Sequence, residues 1–244
     1  MNRAAQGIVC AFGELAEGIG GFAWDLGDPG ALLLRDGTAQ PATFALEESG
    51  DAATVTLTAG ESTLEATLAP RDAALALAPG DGESGGELTM TACTAEMRSE
   101  GETRTARGTG WISRWVTEDP LSGAAAYRCL TVEREESLLV ATARGEPGAE
   151  GHGQERTLGW MLSGEHVTPF EEALISTQYG ADGDPTRLGL ELWPRDADHT
   201  SRAAATRIAG SALGGVRTDG TWAGFFRCHT DGSEGLGTYL LWRA

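Results

Sequence analysis

The sequence predicts an all-β protein made of two antiparallel β-barrels or sandwiches packed together, with little helix. Short segments in which apolar and polar residues alternate recur about every eight to twelve residues, the spacing of a meander, sandwich or barrel. Turn residues separate these segments, and the 35 glycines are about twice the share of an ordinary soluble protein. Alternation places successive side chains on opposite faces of a strand, so one face of each segment is available for a core.

The C-terminal residues 220–243 give the clearest example. An alternating run, Thr221–His229, meets a glycine-containing turn and is followed by a second alternating run, Leu236–Arg243. This pattern predicts a β-hairpin that closes the β body. Trp222 and Phe226 share one face of its first strand.

The remaining strands follow in chain order between turn signals such as Asp28-Pro29-Gly30. The strands predicted before residue 100 are Ile8–Phe12, Ala31–Leu34, Pro41–Glu47, Ala53–Thr58, Ser62–Leu68, Asp72–Ala78 and Leu88–Arg98. Those after it are Gly108–Trp115, Tyr127–Glu133, Ser137–Ala143, Arg156–Leu162, Phe170–Tyr179, Arg187–Trp193 and Ser201–Ala209. The two segments considered for helix are Glu14–Ile19 and Pro169–Leu174.

The predicted strands fall into two β-rich halves. We place an N-terminal lipocalin-like β domain at residues 1–110 and a C-terminal one at residues 111–244. Each half has the length of a barrel of about eight strands. We expect no cofactor-binding domain, because Gly108-Thr109-Gly110 lacks both the full spacing of a phosphate loop and the surrounding strand–helix unit.

The net charge of −18 comes from 36 acidic residues and 18 basic ones, all of them arginine. A protein that tracks a nucleic-acid backbone needs a basic face to neutralise phosphates, so we expect no nucleic-acid partner. Binding to an anionic membrane is disfavoured for the same reason. The composition fits either a GC-rich genome or a high-salt habitat, and the sequence leaves both open.

No apolar run reaches the length of a transmembrane helix, and the N-terminal residues do not resemble a signal peptide. We therefore expect a cytoplasmic protein with no membrane span. The cysteines, Cys10, Cys93, Cys129 and Cys228, lie far apart and include no CxxC pair. This spacing argues against a zinc site or a disulfide framework and favours reduced core thiols. We predict neither a metal nor a cofactor.

Three residues are candidates for acid–base chemistry. His229 ends a strongly predicted strand, at a rim where a ligand would enter, and a neutral histidine can act as acid or base. Glu171 and Glu172 lie beside apolar residues, a setting that can raise the pKa of a carboxyl group. The alternative is that His229 is a surface residue of a turn and that Glu171 and Glu172 have surface or structural roles. No GxSxG nucleophile motif is present.

The tryptophans give the strongest argument for a ligand, since seven of them exceed the six phenylalanines. Large aromatic side chains around a concave apolar site suit a hydrophobic or planar molecule, and interleaved arginines can stack on them. The candidate ligand-binding residues are Trp111, Trp115, Trp160, Trp193, Trp222, Phe226, Trp242 and Arg227. The alternative is that the tryptophans simply fill a large β core.

Together, the two β-rich halves, the tryptophan- and glycine-rich strands, the Gly108–Trp115 segment and the closing Gly235–Trp242 strand resemble a known family. It is the hydroxyneurosporene synthase (carotenoid 1,2-hydratase) and AttH-like family of tandem lipocalin-like proteins. The resemblance implies cofactor-free acid–base chemistry on an isoprenoid, such as hydration or cyclisation. In such a reaction an acid protonates an alkene and aromatic faces shelter the cation.

Two functional hypotheses follow. In the first, the chain binds a small hydrophobic, isoprenoid- or lipid-like molecule in a tryptophan-lined pocket and acts as a cofactor-independent hydratase or cyclase. In the second, it is a non-catalytic structural or protein-interaction β protein, with a homodimer formed through exposed strand edges. A deep apolar pocket that contains an acid would favour the first hypothesis.

Overall fold

Nearly every segment of the described chain is a β-strand, as the alternating sequence predicts. The computed structural model describes residues 7–14, 18–25, 29–77, 86–115, 121, 123–134, 137–148, 151–195, 200–213, 220–230 and 232–244. Within these ranges the structure contains 17 strands and a single 3₁₀ turn, His152–Gln154, with no α-helix. The all-β prediction, with two barrel-like bodies, is confirmed.

The first eight strands form a closed antiparallel barrel in which each strand pairs with the next and β1 also pairs with β8. Its strands are β1 (Gly7–Glu14), β2 (Ile19–Trp24), β3 (Gly30–Arg35), β4 (Thr38–Ser49), β5 (Ala52–Ala59), β6 (Ser62–Leu77), β7 (Gly86–Ser99) and β8 (Glu102–Trp115). Two of the tight turns, Asp36-Gly37 and Glu100-Gly101, have positive φ at both residues. That conformation matches the right-handed twist of a hairpin and favours glycine.

Apolar side chains pack the interior of this barrel. The larger members of the cluster are Phe12, Ile19, Leu33, Val55, Leu57, Leu64, Leu68, Met97 and Ile112. At one end Arg35 Nη1 donates to Ser99 Oγ at 2.6 Å. At the other end Arg114 Nε donates to Glu48 Oε1 at 2.8 Å. Because β8 and β4 are not neighbours in the barrel, this last ion pair reaches across its opening.

The remaining strands form one nine-stranded antiparallel sheet in the order β12-β11-β10-β9-β17-β16-β15-β14-β13. They are β9 (Ala126–Arg134), β10 (Ser137–Gly145), β11 (Arg156–Ser163), β12 (His166–Pro169), β13 (Glu172–Tyr179), β14 (Pro185–Trp193), β15 (Ser201–Leu213), β16 (Gly220–Thr230) and β17 (Ser233–Arg243). The predicted hairpin is confirmed as β16 and β17, with Trp222 opposite Leu241 and Phe226 opposite Gly237. It lies mid-sheet, because β17 also pairs with β9.

This sheet curls until its two ends meet along a seam between β11 and β13. Phe170 lies in the short connection from β12 to β13, and its backbone N–H donates to the Gly159 carbonyl of β11 at 2.9 Å. Along β13, side chains replace the missing ladder: the Thr157 hydroxyl donates to the Ala173 carbonyl, and Arg128 Nη1 donates to the Ile175 carbonyl at 3.2 Å. Edge carbonyls that a barrel would pair with backbone amides are thus satisfied by side chains.

The chain divides into two compact units, Met1–Ser122 with Leu213–Gly215 and Gly123–Ala212 with Val216–Ala244. The boundary expected between residues 110 and 111 lies inside β8, so Trp111 and Trp115 belong to the barrel strand. Of the segments considered for helix, Pro169–Leu174 is strand at both ends, since Pro169 ends β12 and Glu172 begins β13. Glu14 and Ile19 are also strand residues, while residues 15–17 lie outside the described part.

Candidate functional site

The concave face of the curled sheet is apolar through most of its extent. Its buried side chains include Leu130, Val132, Leu139, Ile175, Leu188, Leu190, Leu192, Trp222, Phe226, Tyr239 and Leu241. A group of polar side chains interrupts this surface at one end, where β9 begins and β17 ends. We call this end the mouth, and it is formed by His152, Tyr179 and Arg243 around the buried pair Arg128 and Glu155.

A chain of hydrogen bonds, which we call the relay, runs from Glu155 through His152 to Tyr179. His152 Nδ1 lies 2.8 Å from Glu155 Oε1, and His152 Nε2 lies 2.7 Å from the Tyr179 hydroxyl oxygen. The two rings stack with an interplanar angle of 20°. An ionised Glu155 only accepts, so it assigns the proton of neutral His152 to Nδ1 and leaves Nε2 to accept from the Tyr179 hydroxyl. The relay begins at Glu155, whose side chain is buried, and ends at Tyr179, which is 36% exposed.

Glu155 is held ionised by its neighbours. Burial on its own would raise the pKa of this carboxyl, but the hydrogen bond from His152 and the charge and hydrogen bond of Arg128 lower it below the usual 4.5. The Glu155 side chain is only 3% exposed, and that of Arg128 only 1%. A buried pair of this kind needs further hydrogen bonds to offset its desolvation, and here both partners have them.

Arg128 connects the relay to the seam. Its Nη2 donates to Glu155, while its Nη1 donates both to the Ile175 carbonyl and to Thr177 Oγ1, each at 3.2 Å. Thr177 also shares a hydrogen bond of 3.2 Å with the Tyr239 hydroxyl. Burial raises the pKa of Tyr239 to about 12, although the nearby Arg128 opposes the shift. Tyr239 therefore remains a neutral hydroxyl at neutral pH. The tyrosine that is linked to a base is Tyr179, through its hydrogen bond with His152.

Two buried donors on the concave face have no hydrogen-bond partner, Trp222 Nε1 and Arg128 Nε. A buried indole N–H usually finds an acceptor, and leaving such a donor unpaired costs about 1–3 kcal/mol. The Trp222 ring lies against Gly210 and Gly224, where a Cβ atom would come within 2.4 Å of it. This fixes the indole on the concave face, and its free donor suits an acceptor atom of a bound molecule or a water.

The acid–base residues predicted from the sequence do not lie at the mouth. His229 is on the outer face at the opposite end of β16, with its side chain 55% exposed and Nδ1 3.6 Å from Glu234 Oε1. Arg227 is exposed on the same outer face. Glu171 and Glu172 are also exposed, at the start of β13.

Of the predicted aromatic residues, Trp222 and Phe226 lie on the concave face, and their ring centroids are 6.2 Å apart. Strand alternation places Trp160, Trp193 and Trp242 on the opposite face of the sheet, where each is half-buried. Trp111 and Trp115 are buried on the face of β8 opposite the barrel-core residue Ile112. Trp111 makes an edge contact with Phe22, and Trp115 Nε1 donates to Ser113. The structure thus brings two of the eight candidate ligand residues to the concave face.

The sequence analysis missed Arg128, Glu155 and Tyr179, interpreted His152 as a solvated residue of a polar loop, and considered Arg243 only as one of the arginines interleaved with the tryptophans. Arg128 had a usable signal: it shares its strand face with Leu130 and Val132, and a charge on an apolar face needs a buried partner. The other signal is the three-residue separation of His152 and Glu155, which a single 3₁₀ turn brings together.

Among the described residues, no group of three or more histidine, cysteine, aspartate or glutamate side chains could hold a metal ion. Cys93, Cys129 and Cys228 are free and buried, and burial raises the pKa of each thiol to about 12. These three are therefore protonated thiols rather than nucleophilic thiolates. In the described part of the chain, no helix has the length and apolar character needed to span a membrane.

Solved structures share this architecture over almost the whole chain. The AttH candidate NE1406 of Nitrosomonas europaea superposes with a TM-score of 0.65 at 14% identity, covering 96% of this chain and 92% of its own. Kievitone hydratase of Nectria haematococca gives 0.67 at 11% identity, covering 100% and 90%. CghA, solved with Sch210972, gives 0.52 at 9% identity, covering 94% and 71%.

No protein-family model matches the sequence, and no curated protein matches it by sequence comparison. The similarity is therefore one of fold. The chain has the tandem lipocalin-like fold of these AttH-like proteins, as its sequence pattern predicted.

Proposed function

We propose that the second unit binds a small hydrophobic molecule on its concave face and performs cofactor-free acid–base chemistry on it at the mouth. The reaction class is hydration or cyclisation of an isoprenoid-type or similar unsaturated compound. The observation that carries the proposal is the relay from Glu155 through His152 to Tyr179, which ends where the apolar concave face meets solvent.

In this proposal Tyr179 moves the proton. Its hydroxyl donates a proton to an alkene carbon of the substrate, and Arg243 Nη2, which lies 3.4 Å from the same oxygen, stabilises the phenolate that forms. The carbocation is then captured by a water in a hydration, or by a second alkene of the substrate in a cyclisation. The proton that the attacking water or the cyclised cation loses passes to His152 Nε2, where Glu155 stabilises the imidazolium, and from there returns to the Tyr179 oxygen. This return restores the relay, so no redox partner is needed.

The apolar face supplies the rest of the site. Trp222, Phe226 and Tyr239 form an aromatic cluster with centroid separations of 6.2–6.3 Å, which suits an unsaturated ligand and can shelter positive charge. The unpaired Trp222 Nε1 offers a hydrogen bond to an acceptor atom of the substrate. The name of kievitone hydratase, which shares this fold, supports hydration as one of the reactions to test.

The experiment compares variants in a product screen. Wild-type protein is incubated with geraniol, farnesol, linalool and kievitone in isotopically labelled water, and mass spectrometry detects added label or a cyclised isomer. Tyr179→Phe keeps the ring stack but removes the hydroxyl, and we expect it to reduce turnover at least about a hundredfold. His152→Gln breaks the relay and should have a similar effect.

His229→Gln is the matched control, because it removes a histidine of the same sheet from the outer face. We expect it to leave turnover unchanged. Equal activity of Tyr179→Phe, His152→Gln and wild type would refute the proposed relay. A loss confined to His229→Gln would instead support the rim histidine predicted from sequence.

A further inference from the structure

The mouth carries a positive charge beside the relay. Arg243 lies on the concave face of β17, two residues beyond Leu241. Its guanidinium carbon lies 5.7 Å from the centre of the Tyr179 ring, and Nη2 donates to the Tyr179 hydroxyl. No carboxylate among the described residues pairs with it, while Glu155 is already bound by Arg128 and His152.

Several arginines of the described chain have carboxylate partners, for example Arg35 with Asp36 and Arg114 with Glu48. Arg227 has none among the described residues, but it is exposed on the outer face. Arg243 differs from it in lying half-buried beside an apolar surface, in a chain of net charge −18. A half-buried guanidinium with free donors beside an apolar surface is suited to a carboxylate, which it binds with paired N–H groups.

We infer that the substrate is a small amphipathic carboxylic acid, whose carboxylate binds Arg243 at the mouth and whose apolar part lies along the concave face. The inference rests on the proposed function and adds the chemical class of the molecule bound. The Tyr179 hydroxyl, within reach of the same guanidinium, is then adjacent to the head group, and the reacting carbons lie a short distance inward.

Selectivity for an acid must come from this local contact. The overall field of an acidic protein repels anions, and physiological salt screens that repulsion beyond about 8 Å. A carboxylate should therefore gain affinity from Arg243 and lose it when that residue is neutralised. The corresponding alcohol, which lacks the charge, should be insensitive to the change.

The test uses three matched acid and alcohol pairs: geranic acid with geraniol, decanoic acid with decanol, and cinnamic acid with cinnamyl alcohol. Dissociation constants are measured by calorimetry at neutral pH for wild type, Arg243→Gln and Arg227→Gln. Arg227 is a matched control, since it is an exposed arginine on the outer face of the neighbouring strand.

For at least one pair, we expect wild type to bind the acid about tenfold or more tightly than the alcohol, the strength of a charge-assisted hydrogen bond. Arg243→Gln should abolish this preference and leave alcohol binding unchanged, whereas Arg227→Gln should retain it. Equal binding of acids and alcohols by wild type overturns the carboxylate inference and leaves the apolar site standing. Equal loss of acid binding in both variants also overturns it. If neither member of any pair binds, the inference and the proposed function both fail.

Discussion

Glu155 organises the mouth because its two carboxylate oxygens accept from two different partners. Oε1 accepts from His152 and Oε2 accepts from Arg128. The carboxylate thus orients the imidazole on one side and neutralises a buried guanidinium on the other. A single residue therefore links the chemistry of the site to the stability of the unit.

This double role predicts a pH-dependent effect of Glu155→Gln. The folded-state pKa of Glu155 is lowered below 4.5, so its ionisation contributes fully above that pH and is lost as the pH falls through the folded value. At neutral pH we expect the variant to be less stable by about 3 kcal/mol, because Arg128 is left without a buried counter-charge. Urea unfolding between pH 7 and pH 3 should show that the difference in free energy of unfolding between wild type and variant becomes smaller as the pH falls.

Glu48→Gln is the control for this experiment. Glu48 pairs with Arg114, but its side chain is 37% exposed, and exposed ion pairs contribute less than about 1 kcal/mol. The role assigned to Glu155 would be contradicted if Glu155→Gln were as stable at neutral pH as Glu48→Gln. It would also be contradicted if the difference in free energy of unfolding between wild type and Glu155→Gln became larger in acid.

Residue identity alone did not predict this site. The histidine candidate was chosen for its position at the end of a predicted strand, which favoured His229. The partners of His152 come from a 3₁₀ turn and from the end of β13. These positions are close only because the sheet curls, and strand alternation carries no information on that curl.

Among the elements, the seam between β11 and β13 departs most from a regular barrel. Here a threonine and an arginine side chain supply the donors that a neighbouring strand would provide. The same Arg128 that closes the seam also binds Glu155. The same guanidinium therefore takes part both in closing the sheet and in assembling the mouth.

Thr157→Val tests the seam, because it keeps the side-chain shape and removes only the hydroxyl. We expect a loss of about 1–2 kcal/mol in the free energy of unfolding, since the Ala173 carbonyl loses its donor. Thr43→Val is the matched control: its hydroxyl donates to the Thr58 carbonyl at 3.4 Å in an exposed position, and its effect should stay within about 0.5 kcal/mol. Equal stability of the two variants in chemical unfolding would argue against side-chain closure of the seam.

Strand alternation predicted the elements well and their orientation poorly. In the closing hairpin it correctly paired Trp222 with Phe226 on one face, and both are buried on the concave side. The same period of two applies to Trp160, Trp193 and Trp242, which lie on the other face. Alternation divides residues into two sets, and only the tertiary structure decides which set faces inward.

At the scale of the whole molecule, the two units differ in the side chains that they enclose. The first is a closed barrel with an apolar core and polar bridges at both ends. The second is a curled sheet with a polar network at its mouth and two unpaired donors on its concave face. Both bodies were predictable from the number of strands and turns, whereas their difference depends on where a few charged side chains lie.

The seven tryptophans give the most direct test of the central claim, that the concave face of the second unit is the binding surface. In protein containing isotope-labelled tryptophan, each indole N–H gives a separate nuclear magnetic resonance signal, which single Trp→Phe substitutions assign. Titration with geraniol is predicted to shift the Trp222 signal, whose N–H has no partner among the described protein groups, and to leave Trp160, Trp193 and Trp242 unchanged. A shift of those outer indoles with Trp222 unmoved, or no shift of any indole, would contradict the account.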